Sequence, residues 1–269
     1  MGKTIVITSG KGGVGKSTTT ASIGTGLAKA GKRVVLVDAD IGLRNLDGIL
    51  GLENRIIRNL VDVIESDYDF DRALVRDKKL ENLFLLPASQ RHDKTAVTAE
   101  QMNILCSKLL EQGFEYVLLD CPAGIEQGFR NAVAPADEVI VVTNPEFSAM
   151  RDADRVIGLL NDNGQEHIQL IVNKIRPEMI KKEQMLTADD VKEELKIPLL
   201  GEIPDDEEII IATNRGESIM WNEESAACQA YNRIVDRLQG KIVEEVPLEV
   251  KETFLERLKK YWGLLKGDK

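Results

Sequence analysis

Cysteine, aromatic residues and long apolar runs are all scarce in this sequence. Its 269 residues include 3 cysteines and 4% aromatics. Cys106, Cys121 and Cys228 lie far apart and form no CxxC pair, which argues against a disulfide framework and against a zinc or iron–sulfur site. No uninterrupted apolar run exceeds four residues, so we predict neither a transmembrane helix nor a secretion signal. We expect a reduced, cytoplasmic protein.

Positive charge is also in short supply over most of the chain. The chain has 35 Lys and Arg residues and 45 Asp and Glu residues, which gives a net charge of −10. An acidic surface repels nucleic acid, so we expect no nucleic-acid partner. Residues 251–269 are the exception, because they carry a net charge of +3 and leave −13 on residues 1–250.

What the sequence does contain is a regular alternation of short β-branched segments and helical patterns. Most of the predicted strands are apolar on both faces, as in a parallel sheet between two helical layers. We therefore predict a doubly wound, mostly parallel α/β fold whose ligand binds at the carboxyl ends of the strands. The predicted strands are Thr4–Thr8, Arg33–Asp38, Leu83–Leu86, Tyr116–Asp120, Glu138–Thr143, Gln169–Asn173 and Leu199–Ile203. The predicted helices are Lys16–Ala30, Ala99–Gln112, Ala149–Leu160, Ala188–Leu195 and Ser225–Gln239. We divide the chain into a domain at 1–240, a linker at 241–250 and a C-terminal helix at 251–269.

A phosphate-loop motif stands between the first predicted strand and the first predicted helix. Residues 10–17 read GKGGVGKS and match GxxxxGK[ST] in that required context. Glycines let backbone N–H groups surround phosphates, and the following helix adds the positive end of its dipole. Lys16 is expected to reach the β- and γ-phosphates of ATP, and the Ser17 hydroxyl to bind Mg²⁺. The predicted nucleotide-binding stretch is Gly10, Lys11, Gly12, Gly13, Val14, Gly15, Lys16, Ser17 and Thr18.

The same glycines permit a competing interpretation. Residues 10–15 also satisfy GxGxxG, and Asp38 and Asp40 follow near the place of a ribose-binding acid in dinucleotide folds. Lys16 and Ser17 favour the phosphate loop, because a dinucleotide loop has no use for a lysine and a magnesium-binding hydroxyl there. The apolar strand ending at Asp120 agrees, because it has the pattern of a Walker B aspartate that holds Mg²⁺ through water.

The basic C-terminal segment predicts an amphipathic helix. At 100° per residue, its apolar side chains fall on an arc of about 120°, with lysines at the margin. The arc consists of Phe254, Leu255, Leu258, Tyr261, Trp262 and Leu265. This pattern suits a helix lying on an anionic membrane surface. A terminal helix docked on the protein core gives a similar pattern, so both interpretations stay open.

Several segments together resemble the septum-site-determining branch of the deviant Walker A (ParA/MinD) ATPase family. These segments are KGGVGKS at 11–17, DADIGLRNLD at 38–47, DCPAGIE at 120–126, TNPE at 143–146, Asn173 and IPD at 203–205. The resemblance covers essentially the whole chain, including the basic tail. One departure is Cys121, where the family more often has serine.

The resemblance implies roles for individual residues near the phosphates. Lys11 matches a lysine that crosses the interface of an ATP-bound homodimer and contacts the partner's phosphates. Asp40 matches the carboxylate that positions the attacking water, so Lys11, Lys16 and Asp40 are the expected catalytic residues. Asp38 is expected to support either the magnesium shell or the backbone of this switch segment. The segment from Asp120 is expected to be a second switch, with the Gly124 N–H free to turn toward the γ-phosphate.

The resemblance also implies a base-binding side. Asn173 matches the residue that reads the adenine edge, and the backbone around Pro204 and Asp205 is expected to close over the base. Without the resemblance, Asn173 is equally well explained as a cap at a strand end.

The function implied by the resemblance is placement of the bacterial division site. An ATP-bound dimer is expected on the inner face of the cell membrane, where it recruits a division inhibitor until a stimulatory topological factor triggers hydrolysis and release. A flagellar-number regulator of the same family is the first alternative, although such proteins usually carry an extra segment before the first strand. A DNA-partitioning ATPase is the second, although the acidic body disfavours it.

Overall fold

Eight strands form one sheet in the computed structural model of the chain, which describes residues 2–92 and 96–244. In chain order they are β1 (Lys3–Thr8), β2 (Val34–Asp38), β3 (Val75–Arg76), β4 (Leu83–Leu86), β5 (Tyr116–Asp120), β6 (Glu138–Thr143), β7 (Ile168–Ile175) and β8 (Leu199–Pro204). Their spatial order is β3-β4-β2-β5-β1-β6-β7-β8. All neighbours pair in parallel except β3 and β4. The predicted doubly wound, mostly parallel class is confirmed.

Helices cover both faces of this sheet. They are α1 (Lys16–Lys29), α2 (Leu46–Leu50), α3 (Leu60–Glu65), α4 (Ala99–Glu111), α5 (Gln127–Val133), α6 (Phe147–Asp162), α7 (Pro177–Ile180), α8 (Ala188–Leu195), α9 (Glu207–Asn214) and α10 (Ala226–Leu238). Two 3-10 turns, Glu53–Arg55 and Ile219–Trp221, complete the helical elements of the described residues.

Alternate residues of each central strand belong to opposite layers of the core. On β1, Val6 packs with α3 to α6 and α8, whereas Ile5 and Ile7 pack with α1, α2 and α10. All three side chains are fully buried. Two buried layers explain why the strands are apolar on both faces, since no side of a central strand meets water.

The elements missing from the sequence prediction are short. β3 is a two-residue antiparallel edge strand, and α2, α3, α5, α7 and α9 each have eight residues or fewer. Segments of this length contain few turns in which a helical period can show, and of the described helices with eight residues or fewer only α8 was predicted. The seven predicted strands and five predicted helices are all present, with their ends displaced by at most two residues.

The C-terminal predictions fall largely outside the described residues. The described chain ends at residue 244, six residues after α10, within the predicted linker 241–250. The predicted amphipathic helix at 251–269, with its six membrane-facing residues, lies outside the described residues. Within residues 2–92 and 96–244, no helix has the length and apolar character needed to cross a bilayer.

Candidate nucleotide-binding site

The loop between β1 and α1 turns where the backbone suits glycine. Gly13 has φ +79° and Gly15 has φ +101°, values that other residues rarely adopt. Gly15 immediately precedes α1, and no side chain of the described residues caps that helix end. The first amide groups of α1 therefore remain available to an anion above the loop.

Close neighbours on two sides also require glycine in this loop. A Cβ atom on Gly10 would lie 2.2 Å from the carbonyl carbon and oxygen of Asp152 in α6. A Cβ atom on Gly15 would lie 2.3 Å from Nδ2 of Asn173. The loop is thus held between α6 and the end of β7.

Lys16, Ser17 and Asp120 meet beneath the loop. Parallel pairing places Asp120 opposite Ile7, just before the loop begins. Lys16 is 8% exposed and Asp120 is 1% exposed. Burial raises the pKa of Asp120, while the positive charge of Lys16 and a hydrogen bond from the Ser17 hydroxyl act in the opposite direction. The predicted Walker B acid therefore lies beside the predicted phosphate-binding lysine and magnesium-binding hydroxyl.

Asp38 organises the backbone of the first switch segment. Its Oδ1 atom accepts a hydrogen bond from the Asp40 N–H at 3.1 Å, and Oδ2 accepts from the N–H groups of Asn45 and Leu46 at 2.9 and 3.2 Å. Burial and the neighbouring charge of Asp120 raise the pKa of Asp38 to about 7, although the three amide hydrogen bonds lower it. Asp38 thus holds the backbone that follows β2, and its predicted support of the magnesium shell or of the switch backbone stays a prediction.

The two switch segments approach the loop from the side of β2 and β5. Asp40 is buried, and its negative charge raises the pKa of Asp120. Gly124 has φ +94° and its N–H donates to the Ser9 carbonyl at 3.2 Å. In this structure the Gly124 amide is therefore bonded to the start of the phosphate loop, and its turn toward the γ-phosphate of a bound nucleotide stays a prediction.

The predicted base-binding residues lie on the opposite side, at the ends of β7 and β8. The Asn173 side chain donates from Nδ2 to the Val14 carbonyl and accepts at Oδ1 from the Lys174 N–H, both at 2.8 Å. The Asp205 N–H donates to the Ile175 carbonyl, and its carboxylate pairs with Nε of Arg176 at 2.6 Å. Asn173 thus caps backbone groups in this structure, and its adenine-reading role stays a prediction.

These elements enclose a cavity of about 810 Å³, large enough for a nucleotide. Ten of the predicted residues line it: Gly12, Gly13, Gly15, Lys16, Ser17, Thr18, Asp40, Asn173, Pro204 and Asp205. Gly10, Val14, Asp38 and Asp120 lie outside this lining.

Several other residues that line the cavity were not predicted from the sequence. The cavity is closed by α2 and α9 through Ile49, Ile209, Ile210 and Thr213, and Lys174 also lines it. The sequence signals for α9 are the acidic run at 206–208, which is typical of a helix start, and the apolar run at 209–212 that follows it. We call residues 10–18 with 173–174 the loop wall, and residues 38–51 with 207–216 the switch wall.

The switch wall is joined by a direct contact between two backbone turns. Gly51 ends α2 with φ +62°, and Gly216 follows α9 with φ +64°. A Cβ atom on Gly216 would lie 2.7 Å from Cα of Gly51. The first switch helix and α9 therefore touch where neither residue has a side chain.

Lys11 points away from the cavity of its own chain. Its side chain is 43% exposed, and its Nζ atom lies 3.1 Å from Oγ of Ser148 and 3.5 Å from Oε2 of Glu146, at the start of α6. Lys11 is not among the residues lining the cavity.

Comparison with known proteins agrees with this geometry. Residues 5–219 match the family "CobQ/CobB/MinD/ParA nucleotide binding domain". The septum site-determining protein MinD of Bacillus subtilis is 51% identical over 270 residues, covering 98% of this chain and 99% of that protein. The chain belongs to the MinD family. The MinD of Synechocystis is 54% identical over 242 residues, covering 90% of this chain and 91% of that protein. As a MinD-family member, the chain is a nucleotide-binding ATPase.

Solved structures of MinD proteins have the same fold. A MinC:MinD cell division protein complex from Aquifex aeolicus contains a chain that aligns with TM-score 0.84 at 48% identity, covering 92% of this chain and 98% of that one. MinD from Pyrococcus horikoshii, complexed with Mg-ADP, aligns with TM-score 0.78 at 29% identity, covering 88% of this chain and 96% of that one.

Proposed function

We propose that this chain is an ATP-dependent, dimerising ATPase that associates with the membrane and places the bacterial division site. The observation that carries this proposal is the convergence of Lys16, Ser17 and Asp120 beneath a glycine-rich loop that opens into an 810 Å³ cavity. ATP fits the loop wall, because Lys16 and the first amides of α1 are positioned for its phosphates. The Mg-ADP bound by the Pyrococcus horikoshii relative supports the same ligands here.

The side chains beneath the loop also fit magnesium bound together with phosphate. The described residues contain no group of three or more His, Cys, Asp or Glu side chains able to hold a metal by themselves. Mg²⁺ commonly takes one or two protein ligands and completes its shell with phosphate oxygens and water. Ser17, with Asp120 acting through water, would hold it. When bound, Mg²⁺ neutralises charge on the transferring phosphoryl group. Lys16 binds that group and Asp40 orients the attacking water.

A homodimer is supported by what surrounds the mouth of the cavity. Four exposed apolar residues lie in segments that follow strand ends at this edge of the sheet: Leu43 and Ile125 in loops, Phe147 in α6 and Ile210 in α9. Exposed apolar surface of this kind marks interfaces. Lys11 contacts the start of α6 at the same edge, and its contact with a partner's phosphates is proposed from the family resemblance.

The C-terminal segment supports membrane association through its sequence. One copy of so short a helix binds a bilayer weakly, but two copies held on an ATP-bound dimer bind with a high effective concentration. Nucleotide state then controls how long the protein stays on the membrane. The location that follows is cytoplasmic, peripheral on the inner face of the cell membrane.

The partners follow from the family. The Aquifex aeolicus MinC:MinD cell division complex supports a division inhibitor as the recruited partner. A topological factor that stimulates hydrolysis would release the dimer. A flagellar-number regulator shares the loop, switches and tail, so it remains the alternative. A ParA family ATPase from Chlorobium tepidum, at 20% identity and TM-score 0.75, shares only the fold, and the charge of −13 on residues 1–250 disfavours DNA partitioning.

Co-sedimentation with vesicles of zwitterionic and anionic phospholipids, with and without ATP and Mg²⁺, tests this proposal. The full chain is expected to sediment with vesicles only when ATP is present. Lys16→Ala should lose both ATP binding and sedimentation, because it removes the charge that compensates the phosphates. Truncation after Val250 should keep ATP binding and lose sedimentation.

A matched pair of substitutions separates a membrane anchor from a docked helix. Leu258→Glu places a charge in the centre of the apolar arc, and Thr253→Glu places the same charge on the opposite face. We expect only Leu258→Glu to weaken sedimentation, with the melting temperature unchanged. Sedimentation without ATP, ATP-independent DNA binding, or a marked fall in melting temperature after truncation would contradict the proposal.

A further inference from the structure

Lys174 has a backbone conformation that lysine rarely adopts. Its φ is +57°, at a place where the pairing of β7 with β8 shifts register between Val172 and Ile175. A residue with a side chain in the left-handed region is energetically unfavourable, and such positions concentrate at functional sites. The irregularity leaves both Asn173 and Lys174 with side-chain contacts to the phosphate loop.

Those two side chains bond to consecutive carbonyl groups of the loop. Nζ of Lys174 donates to the Gly13 carbonyl and Nδ2 of Asn173 donates to the Val14 carbonyl, each at 2.8 Å. A loop that directs its N–H groups at an anion turns its carbonyl groups outward. Outward carbonyl groups need donors, and here two side chains provide them. The contacts therefore fix the loop in the orientation that phosphate binding requires.

The Lys174 contact differs from that of Asn173 in two respects. Lys174 contributes a charged donor, which makes a stronger hydrogen bond than an amide does. Lys174 also lines the cavity. Its Nζ atom lies next to the carbonyl group of the Gly13 peptide. Its position at the end of β7 thus connects the side of the cavity proposed for the base with the loop proposed for the phosphates.

We propose that Lys174 is a positioning residue of the nucleotide site. It holds the Gly13 peptide so that the following amide groups face the phosphates before nucleotide arrives. The inference rests on the proposed nucleotide site and adds a residue to which the sequence analysis gave no role.

Titration calorimetry with ADP and Mg²⁺ at 25 °C tests this role, because ADP avoids both hydrolysis and ATP-driven dimerisation. Lys174→Met keeps the apolar stem and removes the donor, and Lys174→Arg restores a charged donor. Lys192→Met is the control, because Lys192 is an exposed lysine on α8 outside the cavity. Lys174→Gly suits the positive φ and gives a second variant should Lys174→Met fail to fold.

We expect the Kd for ADP to rise about tenfold in Lys174→Met and Lys174→Gly, because a hydrogen bond to a charged group is lost. Lys174→Arg is expected to recover to within about threefold of the unsubstituted chain, and Lys192→Met to match it. A general loss of stability leaves the ADP affinity of the folded protein unchanged. Weaker ADP binding that arginine restores therefore indicates positioning by a charged donor.

The inference on Lys174 is overturned if Lys174→Met or Lys174→Gly binds ADP as the unsubstituted chain does, or if Lys174→Arg binds as weakly as Lys174→Met. The same measurement on Lys16→Ala distinguishes failure of the proposed nucleotide site from failure of the role of Lys174. If the unsubstituted chain does not bind ADP, or Lys16→Ala binds it normally, the proposed nucleotide site fails and this inference with it. If Lys16→Ala loses binding while Lys174→Met keeps it, only the role of Lys174 fails.

Discussion

The loop wall and the switch wall of the cavity are held by different kinds of contact. In the loop wall, Asn173 and Lys174 donate to two loop carbonyls, and Gly15 fits closely against Asn173. In the switch wall, the main contacts are the buried carboxylate of Asp38 on three amides and the backbone approach of Gly216 to Gly51.

This difference in contacts bears on which of the two walls nucleotide binding can rearrange. The polar contacts of the loop wall already leave its amides oriented for phosphate, so little rearrangement is needed there. The switch wall instead holds Asp38 beside Asp120, and burial raises the pKa of both carboxyl groups. Buried negative charge is unfavourable until a proton or cation compensates it. A cation that arrives with a ligand would offset the negative charge at Asp38 and Asp120.

Gly15→Ala should have the largest effect, because it breaks the loop wall. The Cβ atom would meet Nδ2 of Asn173 at 2.3 Å, in a backbone conformation at φ +101°. We expect about 2 kcal/mol of destabilisation, which corresponds to a melting temperature lower by roughly 4–8 °C. ADP binding should weaken at least about 100-fold, because several loop amides move together.

Gly12→Ala is the control for that substitution, because a Cβ atom there meets nothing within 4 Å. Thermal unfolding of the nucleotide-free protein is the measurement. Equal melting temperatures for the two variants would show that the close fit of Gly15 against Asn173 contributes nothing to stability.

Gly216→Ala should have an intermediate effect, because it separates the two halves of the switch wall. The Cβ atom would lie 2.7 Å from Cα of Gly51, and backbone cannot move aside as a side chain does. We expect a loss of stability of about 1–3 kcal/mol but less than a tenfold change in ADP affinity, because the loop wall stays intact.

Gly48→Ala in the adjacent helix is the matched control. Its Cβ atom would have Glu53 Oε1 at 3.8 Å as its nearest neighbour, and alanine favours helix, so the melting temperature should stay equal or rise slightly. An ADP affinity that falls as far in Gly216→Ala as in Gly15→Ala would remove the distinction between the walls.

At pH 8, Asp38→Asn should have the smallest effect of the three substitutions, because its effect on stability depends on pH. The pKa of Asp38 is raised to about 7 in the folded protein, so the folded state binds more protons than the unfolded state between about pH 4 and 7. Stability from this group is therefore lost as pH rises through that window. Asparagine does not titrate, but it replaces one acceptor oxygen with an amide group.

The measurement is the difference in melting temperature between Asp38→Asn and the unsubstituted chain at pH 5 and pH 8. We expect the unsubstituted chain to have the higher melting temperature at pH 5. At pH 8 its advantage in the free energy of unfolding should be smaller by roughly 1–3 kcal/mol. An advantage that grows with pH would mean that Asp38 is stabilised as a carboxylate, as in an ion pair.

The loop wall was largely predictable from sequence, because its geometry is encoded locally. The spacing of Gly15, Lys16 and Ser17 between a strand and a helix leaves few arrangements for the backbone. The strand ending at Asp120 was predictable for a related reason, since an apolar run that stops at an acid marks both burial and the sheet edge.

The switch wall was much harder to predict. α9 contains three successive isoleucines, Ile209 to Ile211, which favour a strand when judged by propensity alone. Its helical form depends on Asp206, which caps α9 and also contacts Ser225 before α10. Likewise, nothing in the local sequence indicates that Gly51 and Gly216 touch, because that contact joins turns distant in the chain.

The alignment of Asp38 with Asp120 has a consequence for how the sheet assembles. β2 and β5 are apolar on both faces, so sliding one past the other by a residue exchanges one buried apolar side chain for another. Hydrophobic burial alone therefore distinguishes poorly between alternative alignments of these strands. The two carboxylates end their strands side by side. Any slip would draw Asp38 away from the amides that donate to it, or Asp120 away from the Thr20 hydroxyl. These two carboxylates thus make misaligned sheets unfavourable during folding.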